Sequence, residues 1–175
     1  MDFSLSEEQQ ELAGLAGRIL EDRMTLQHLK ARDRSEDWYD LDTWHEFAKA
    51  NLLGIALPES AGGLGMGFLD LCMVLREVGR NVAPLPMIPT LVSAALPIAR
   101  FGNDAQTAVL SKVAAGDVLL TAALHEYGAE PELPQTTATA GDSTASRPTC
   151  PARRPPSSSS CPRRSALKMR CSSCP

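Results

Sequence analysis

Long apolar runs and cysteine are both scarce over most of this sequence. No stretch approaches the uninterrupted apolar length of about 18 residues that a membrane-spanning helix needs, which excludes a transmembrane helix. Cys72 is the single cysteine between residues 1 and 141, and the first residues have neither the basic nor the apolar region of a secretory leader. These absences predict a protein of the reducing cytoplasm, with no membrane partner.

The composition changes abruptly near Gly141. Residues 1–141 carry 10 Lys and Arg against 20 Asp and Glu, whereas residues 142–175 carry 7 against 1. Arg, Pro, Ser and Cys make up 25 of those last 34 residues. A segment of that kind buries too little apolar surface to offset its conformational entropy. The sequence therefore predicts an acidic folded part followed by a disordered tail.

The apolar pattern of residues 1–117 predicts a helical bundle. A first helix begins after Ser6, whose spacing from Gln9 is typical of a capping box, and its apolar residues recur at helical spacing as far as Leu20. Four further helices are predicted: one from Asp40 or Asp42 to before Gly54, one from Leu69 to about Gly79–Asn81, one from Thr90 to Phe101, and one from Asp104 to Ala115. The apolar run Val118–Leu124 then predicts the first strand of another element.

The stretch "GIALPESAGGLGMG", residues 54–67, predicts a loop of defined shape, since Pro58 and five glycines forbid a continuing helix. Closely spaced glycines can bring backbone N–H groups to a phosphate. The stretch matches neither G-x-G-x-x-G nor a P-loop, which favours a structural loop. His28, His45 and His125 lie far apart without carboxylates at ligand spacing, so we expect surface or internally satisfied histidines and no metal site.

Three blocks of the chain together resemble one family. They are "FSLSEEQQELAGLAGRIL", "LLGIALPESAGGLGMGFLDLCMVLREVGRNVAPLP" and "AAGDVLLTAAL". In this order they look like the N-terminal helical domain of flavin-dependent acyl-CoA dehydrogenases. The most specific part is an LG-x-x-x-PE-x-x-GGLG loop followed by a helix ending in EVGR.

The resemblance implies a subunit of N-terminal helices, a central β-domain that holds FAD and a C-terminal four-helix bundle, of which this chain would have a mainly α part. Residues 1–117 would form the N-terminal α-domain and residues 118–141 the start of the β-domain with one leftover strand, while the composition makes residues 142–175 a low-complexity tail. It also implies FAD as cofactor, acyl-CoA as substrate, oxidation of a Cα–Cβ bond, and assembly into homo- or hetero-oligomers. Nucleic acid is not an expected partner.

The same resemblance implies only weak cofactor contacts. The family's flavin-facing loop, similar to A-L-T-E-P-x-x-G-S-D, falls on "ALHEYGAEPE". Leu124 keeps its place, but His125 stands at the threonine position and Tyr127 at the proline position. Pro131 stands at the serine position of Gly-Ser-Asp. Leu124 and His125 are therefore the candidate cofactor-binding residues, and no catalytic or metal-binding residue is expected.

Because the family's catalytic base and most of its FAD site lie outside the resembling part, we expect an inactive fragment that purifies without flavin. The alternative is a non-catalytic helical subunit that docks onto another acyl-CoA dehydrogenase chain. "APLPMIPTLV", residues 83–92, would border the acyl pocket by resemblance. With its partner surfaces missing, Leu85, Met87, Ile88 and Leu91 are expected to be exposed.

The tail admits three interpretations. Its cysteines at 150, 161, 171 and 174 could bind zinc, but the first two are not closely spaced and apolar packing residues are lacking. Its arginines could attract nucleic acid, but no aromatic residues are interleaved for base stacking. Back-translated with GC-rich codons and read from the third base, residues 143–175 give a valine run and a strand-like segment. The favoured hypothesis is a frameshifted coding sequence.

Overall fold

The computed structural model describes residues 4–35, 37 and 39–122, together with three short strands in residues 137–170. The chain divides into two compact units, Met1–Leu120 and Thr121–Pro175.

The first unit is helical. Its α-helices are α1 (Glu7–Arg23), α2 (Leu26–Asp33), α3 (Leu41–Lys49), α4 (Phe68–Arg80), α5 (Leu96–Phe101), α6 (Asp104–Thr107) and α7 (Leu110–Ala114). A 3₁₀ turn spans Glu59–Ala61, and a π-helix spans Ile88–Ala95 and continues directly into α5. Among the described residues, no helix combines the length and the apolar character needed to cross a membrane.

The starts of α1 and α4 are joined by side chains. Ser6 and Gln9 form the predicted capping box, in which Ser6 Oγ accepts the Gln9 N–H at 3.2 Å and Gln9 Oε1 accepts the Ser6 N–H at 3.1 Å. The other end of the Gln9 amide donates to Asp70 Oδ1 at 2.9 Å, and Asp70 Oδ2 accepts the Gly67 N–H at 2.7 Å. One carboxylate therefore ties the first turns of both helices together.

The core lies where α1, α3, α4 and α7 meet the loop of residues 50–58. Its largest fully buried side chains are Trp44, Phe47, Leu20, Leu52, Leu53, Ile55, Leu57, Leu71, Met87, Leu91, Leu110 and Val74. Trp44 and Phe47 come from α3, three residues apart on one face. This arrangement is a single apolar cluster enclosed by helices, as the periodicity predicts.

The predicted boundaries differ from the structure in three places. Helix α2 is not predicted by the sequence, because none of its residues is buried and it therefore carries no apolar stripe. The predicted helix from Asp104 to Ala115 is two helices, and in the turn between them the Val109 N–H bonds to the Gln106 carbonyl at 3.3 Å, a span of three residues instead of four. The strand predicted over 118–124 is not formed in residues 118–122, the part described.

The apolar side chains of residues 83–92, which were predicted to be exposed, are only partly exposed. Ile88 is 58% exposed, but Met87 and Leu91 are buried and Leu85 is half-buried. Met87 and Leu91 point into the core together because they lie four residues apart along the helical turn. The hydrogen bond from the Leu96 N–H to the Leu91 carbonyl spans five residues, so the helix is wider here than an α-helix.

In the second unit, three strands form one antiparallel sheet in the order β1–β2–β3. They are β1 (Thr137–Thr139), β2 (Asp142–Thr144) and β3 (Met169–Arg170), with Ala138 opposite Ser143 and Ser143 opposite Met169.

Helix α4 ends in a turn that normally uses glycine. The Val82 N–H donates to Gly79 O at 3.1 Å and the Ala83 N–H donates to Val78 O at 3.0 Å, the two bonds of a Schellman motif. Val82 holds the left-handed position with φ 51°, although it is β-branched. Its side chain is 72% exposed, so packing does not offset the strain.

Val82→Gly is therefore expected to raise the free energy of unfolding by about 1 kcal/mol, because glycine adopts this conformation without a Cβ penalty. Urea denaturation of both proteins measures the difference. Asn51 has φ 55° and is the matched control, since asparagine tolerates this region and Asn51→Gly should change little. Equal gains from both substitutions would contradict the explanation.

Candidate functional site

In the glycine-rich loop of residues 54–67, the backbone N–H groups of residues 62–67 are all hydrogen-bonded within the domain. From Gly62 to Gly67 each N–H makes a hydrogen bond within the domain: to Glu59 O (2.9 Å), Pro58 O (3.1 Å), Gly54 O (2.9 Å), Leu57 O (2.8 Å), Ile55 O (2.9 Å) and Asp70 Oδ2 (2.7 Å), in that order. A phosphate site needs such donors free and directed outward. The structural interpretation of this loop is thus favoured by its geometry.

A groove of about 880 Å³ runs along the start of α1. Its lining residues are Glu7, Glu8, Gln10, Glu11, Leu12, Gly14, Leu15, Arg18 and Met66. The lining has three glutamates and one arginine, so its net charge is negative. Leu12, Leu15 and Met66 supply apolar surface. Such a surface repels the phosphates of a nucleotide or of coenzyme A.

A buried carboxylate organises the other end of the domain. Asp40 is completely buried and caps α3, where its Oδ1 accepts the backbone N–H of Asp42 at 3.2 Å and of Thr43 at 3.4 Å. Thr43 Oγ1 donates to Oδ2 at 2.9 Å. The Asp40 N–H itself donates to Pro84 O at 2.9 Å, which fixes the segment after α4 against α3.

Two side chains of α2 complete the environment of this carboxylate. His28 Nε2 lies 2.6 Å from Asp40 Oδ2, and Arg32 donates to Oδ1 at 3.4 Å. Burial alone would raise the pKa of Asp40. The hydrogen bonds from His28 and Thr43, with the charge of Arg32, outweigh burial and hold that pKa below its ordinary value of 3.8.

This lowered pKa predicts a loss of stability in acid. An unfolded Asp40 binds its proton more readily than the folded one, so its stabilising contribution is complete above its ordinary pKa and declines as the pH falls through the folded value. Urea unfolding between about pH 2.5 and pH 6 should show this decline in the wild type and a smaller one in Asp40→Asn. The exposed Asp42→Asn is the control and should keep the wild-type profile; a wild-type profile for Asp40→Asn would contradict the assignment.

The second buried carboxylate lies between α1 and α4. Glu77 Oε1 accepts from Nε and one terminal nitrogen of Arg76 at 3.2 and 3.1 Å, and its Oε2 accepts from Arg80 at 3.4 Å. A Cβ at Gly17 would lie 3.5 Å from Oε2, an ordinary van der Waals contact, so α1 packs directly against this ion pair. Both buried carboxylates of the described residues are thus held by cationic side chains and are not free to act as general bases.

The sequence-predicted site residues, Leu124 and His125, lie outside the described residues, as do the four tail cysteines. Of the other two histidines, His28 is satisfied by Asp40, whereas His45 is exposed on α3. Within the described ranges, no group of three His, Cys, Asp or Glu could hold a metal ion. Sequence reasoning missed the Asp40 cluster, although His28 and Arg32 at i and i+4 were an available signal.

Comparison with known proteins identifies the family. Residues 6–117 match the model of the acyl-CoA dehydrogenase N-terminal domain. The chain belongs to the acyl-CoA dehydrogenase family. Among curated relatives, acyl-CoA dehydrogenase FadE27 of Mycobacterium tuberculosis is 36% identical over 125 residues, which are 71% of this chain and 34% of that protein. The chain thus spans about a third of the length of this relative.

Two solved structures share the helical fold of the acyl-CoA dehydrogenase domain. The Tcur3481-Tcur3483 steroid ACAD matches with a TM-score of 0.78 and 43% identity, over 85% of this chain and 42% of that chain. The ChsE4-ChsE5 complex from Mycobacterium tuberculosis matches with a TM-score of 0.77 and 32% identity, over 86% and 42%. The recognition from the three sequence blocks and the predicted mainly α fold are confirmed.

Two features of the described residues do not fit the FAD of this family. The N–H groups of the glycine-rich loop are already bonded, and the groove on α1 carries three glutamates that would repel a pyrophosphate. Neither the loop nor this groove therefore offers a cradle for the cofactor.

Proposed function

We propose that residues 6–117 serve as the N-terminal helical layer of an acyl-CoA dehydrogenase, a flavoprotein that oxidises the CH–CH bond of an acyl-CoA with FAD in the cytoplasm. The family match over these residues carries the proposal. The buried carboxylates Asp40 and Glu77 are both held in ion pairs with arginines, which supports a structural role for this layer. The α-proton base and the flavin contacts then come from residues outside it.

The chain of 175 residues is accordingly expected to be inactive by itself and to retain no flavin. The purified chain, incubated with micromolar FAD and desalted, should show no absorbance at flavin wavelengths. It should not reduce a dye acceptor when acyl-CoA is added. A full-length acyl-CoA dehydrogenase treated in the same way is the control. Stoichiometric bound flavin in the chain, or dye reduction above the blank, would contradict the proposal.

A second candidate function is a non-catalytic subunit of a mixed complex. It is favoured by the two solved relatives, each of which is described by a pair of protein names, Tcur3481-Tcur3483 and ChsE4-ChsE5. Co-expression with a tagged full-length acyl-CoA dehydrogenase tests it. Capture of the chain at a fixed stoichiometry through gel filtration supports the subunit role, and recovery of the tagged protein alone rejects it.

The likeness to the steroid ACAD, at 43% identity, also leads us to propose a steroid-derived acyl-CoA as the substrate class of the complete enzyme. The test measures how fast the complete enzyme, with this chain as its N-terminal helical layer, turns over a steroid acyl-CoA and butyryl-CoA. Preference for butyryl-CoA would overturn this assignment.

For residues 142–175 we propose frameshifted coding sequence, on the basis of the change of composition near Gly141. Resequencing the genomic locus decides it. An uninterrupted reading frame with no insertion or deletion relative to closely related loci would remove the hypothesis.

A further inference from the structure

Helix α2 differs from its neighbours in how it is attached. All eight of its residues are described, none of them is buried, and none contributes to the apolar cluster of the domain. Met24, at the end of α1, is the last residue before α2 that packs against that cluster. A helix of this length is not stable in water without such packing. Something other than apolar burial must therefore hold α2 in place.

Two polar side chains connect α2 to the rest of the domain. His28 and Arg32 lie one turn apart on the same face of the helix and both reach Asp40, at 2.6 and 3.4 Å. The Thr25 side chain caps the helix by accepting the His28 N–H at 3.3 Å, but this bond is local. The attachment of α2 to another element is thus concentrated on one carboxylate.

Asp40 also contacts two other parts of the domain. It caps α3 through the N–H groups of Asp42 and Thr43, and the backbone of Asp40 is bonded to Pro84. These contacts do not involve α2, so they can persist when α2 moves away. Asp40 is fixed to the domain by the cap, whereas the side-chain contacts of α2 with another element of the described residues converge on Asp40.

We propose that α2 is a strap: a helix that docks on and releases from the domain as a separate unit, held by the contacts of His28 and Arg32 with the Asp40 carboxylate. In the docked state, His28 and Arg32 engage Asp40. In the released state, residues 25–35 open while α1, α3 and α4 stay folded. Elements with few buried apolar contacts open locally at a lower free energy than the whole domain. The strap is a property of the helical layer and is independent of the proposed enzymatic role.

Hydrogen exchange of the full chain, followed by mass spectrometry, tests the strap. His28→Ala and Arg32→Gln each remove one of the two side-chain contacts between α2 and Asp40, and both leave the hydrogen bonds by which Asp40 caps α3 in place. Each should speed exchange in residues 26–33 by about tenfold, the effect of losing a hydrogen bond to a charged group. The double variant should exceed either single one. Exchange in α1, α3 and α4 should stay within about twofold of the wild type.

The matched control is Lys30→Gln, which removes a positive charge from the same helix at an exposed position with no contact to Asp40. It should leave exchange in α2 unchanged. Two results overturn the proposal: unchanged exchange in α2 of the double variant, or an equal rise in all helices, which would make α2 part of the global folding unit. Urea denaturation of each variant confirms which proteins remain folded under the exchange conditions.

Discussion

Gly63→Ala is expected to lower the free energy of unfolding by about 3 kcal/mol, the upper range for overpacking a tight site. A Cβ at Gly63 would overlap the carbonyl group of Leu57 and lie 2.7 Å from Gly54 O. Both neighbours are backbone atoms, so no side-chain rotation can relieve the clash. The same carbonyls accept the N–H groups of Gly65 and Leu64, so moving them also disturbs the loop.

Gly62→Ala provides the comparison within the same loop. Gly62 has φ 78° but no heavy atom lies within 4 Å of its hypothetical Cβ, so only the left-handed conformation is penalised. We expect a loss of about 1 kcal/mol. Urea denaturation measures both variants. If Gly62→Ala were the more costly substitution, backbone conformation and not close packing would explain the glycines.

Trp44→Ala is expected to lower the free energy of unfolding by about 3–5 kcal/mol, as large-to-small substitutions of buried tryptophan do. Trp44 is fully buried, and its Nε1–H donates to Gly116 O at 3.1 Å across 72 residues of sequence. Gly116 itself has φ 82° and packs against Ala48, where a Cβ would approach to 2.8 Å. The indole therefore supports both the core and the turn after α7.

Trp44→Phe separates these two contributions. It keeps most of the apolar volume but leaves the buried Gly116 carbonyl without its indole donor, which should cost about 1–3 kcal/mol. His45→Ala is the control, an exposed neighbour on the same helix, and should stay within about 0.5 kcal/mol of the wild type. Chemical denaturation followed by circular dichroism reports all three. A Trp44→Ala protein as stable as the control would disprove the role of the indole.

Local signals in the sequence predicted much of the helical layer. The Ser6–Gln9 capping box begins α1 where expected, and α5 ends at Phe101, the predicted residue, with Gly102 following. These features act over one turn of chain, so a single sequence contains them. Helix α2 could not be predicted, since its attachment depends on a carboxylate that lies beyond its own end and not on an apolar stripe.

The candidate site was harder to predict than the fold. The N–H groups of the glycine-rich loop bond to carbonyls of residues 54–59, and this pairing depends on the folded path of the loop. Asp40 was predicted as a possible start of α3, but its contacts with His28 and Arg32 depend on how α2 lies against the start of α3. The family was recognised because its loop motif is long and specific, whereas Leu124 and His125 stay predictions.

The Asp70 carboxylate, which joins the first turns of α1 and α4, has a consequence for folding during synthesis on the ribosome. Gln9 and Asp70 are 61 residues apart, yet their hydrogen bond joins the first turns of both helices. At about 5–20 residues per second, translation needs roughly 3–12 s to travel that distance. During this interval the apolar face of the nascent α1 has no α4 to cover it. The amino-terminal helix is then a segment that chaperones can reach before the domain closes.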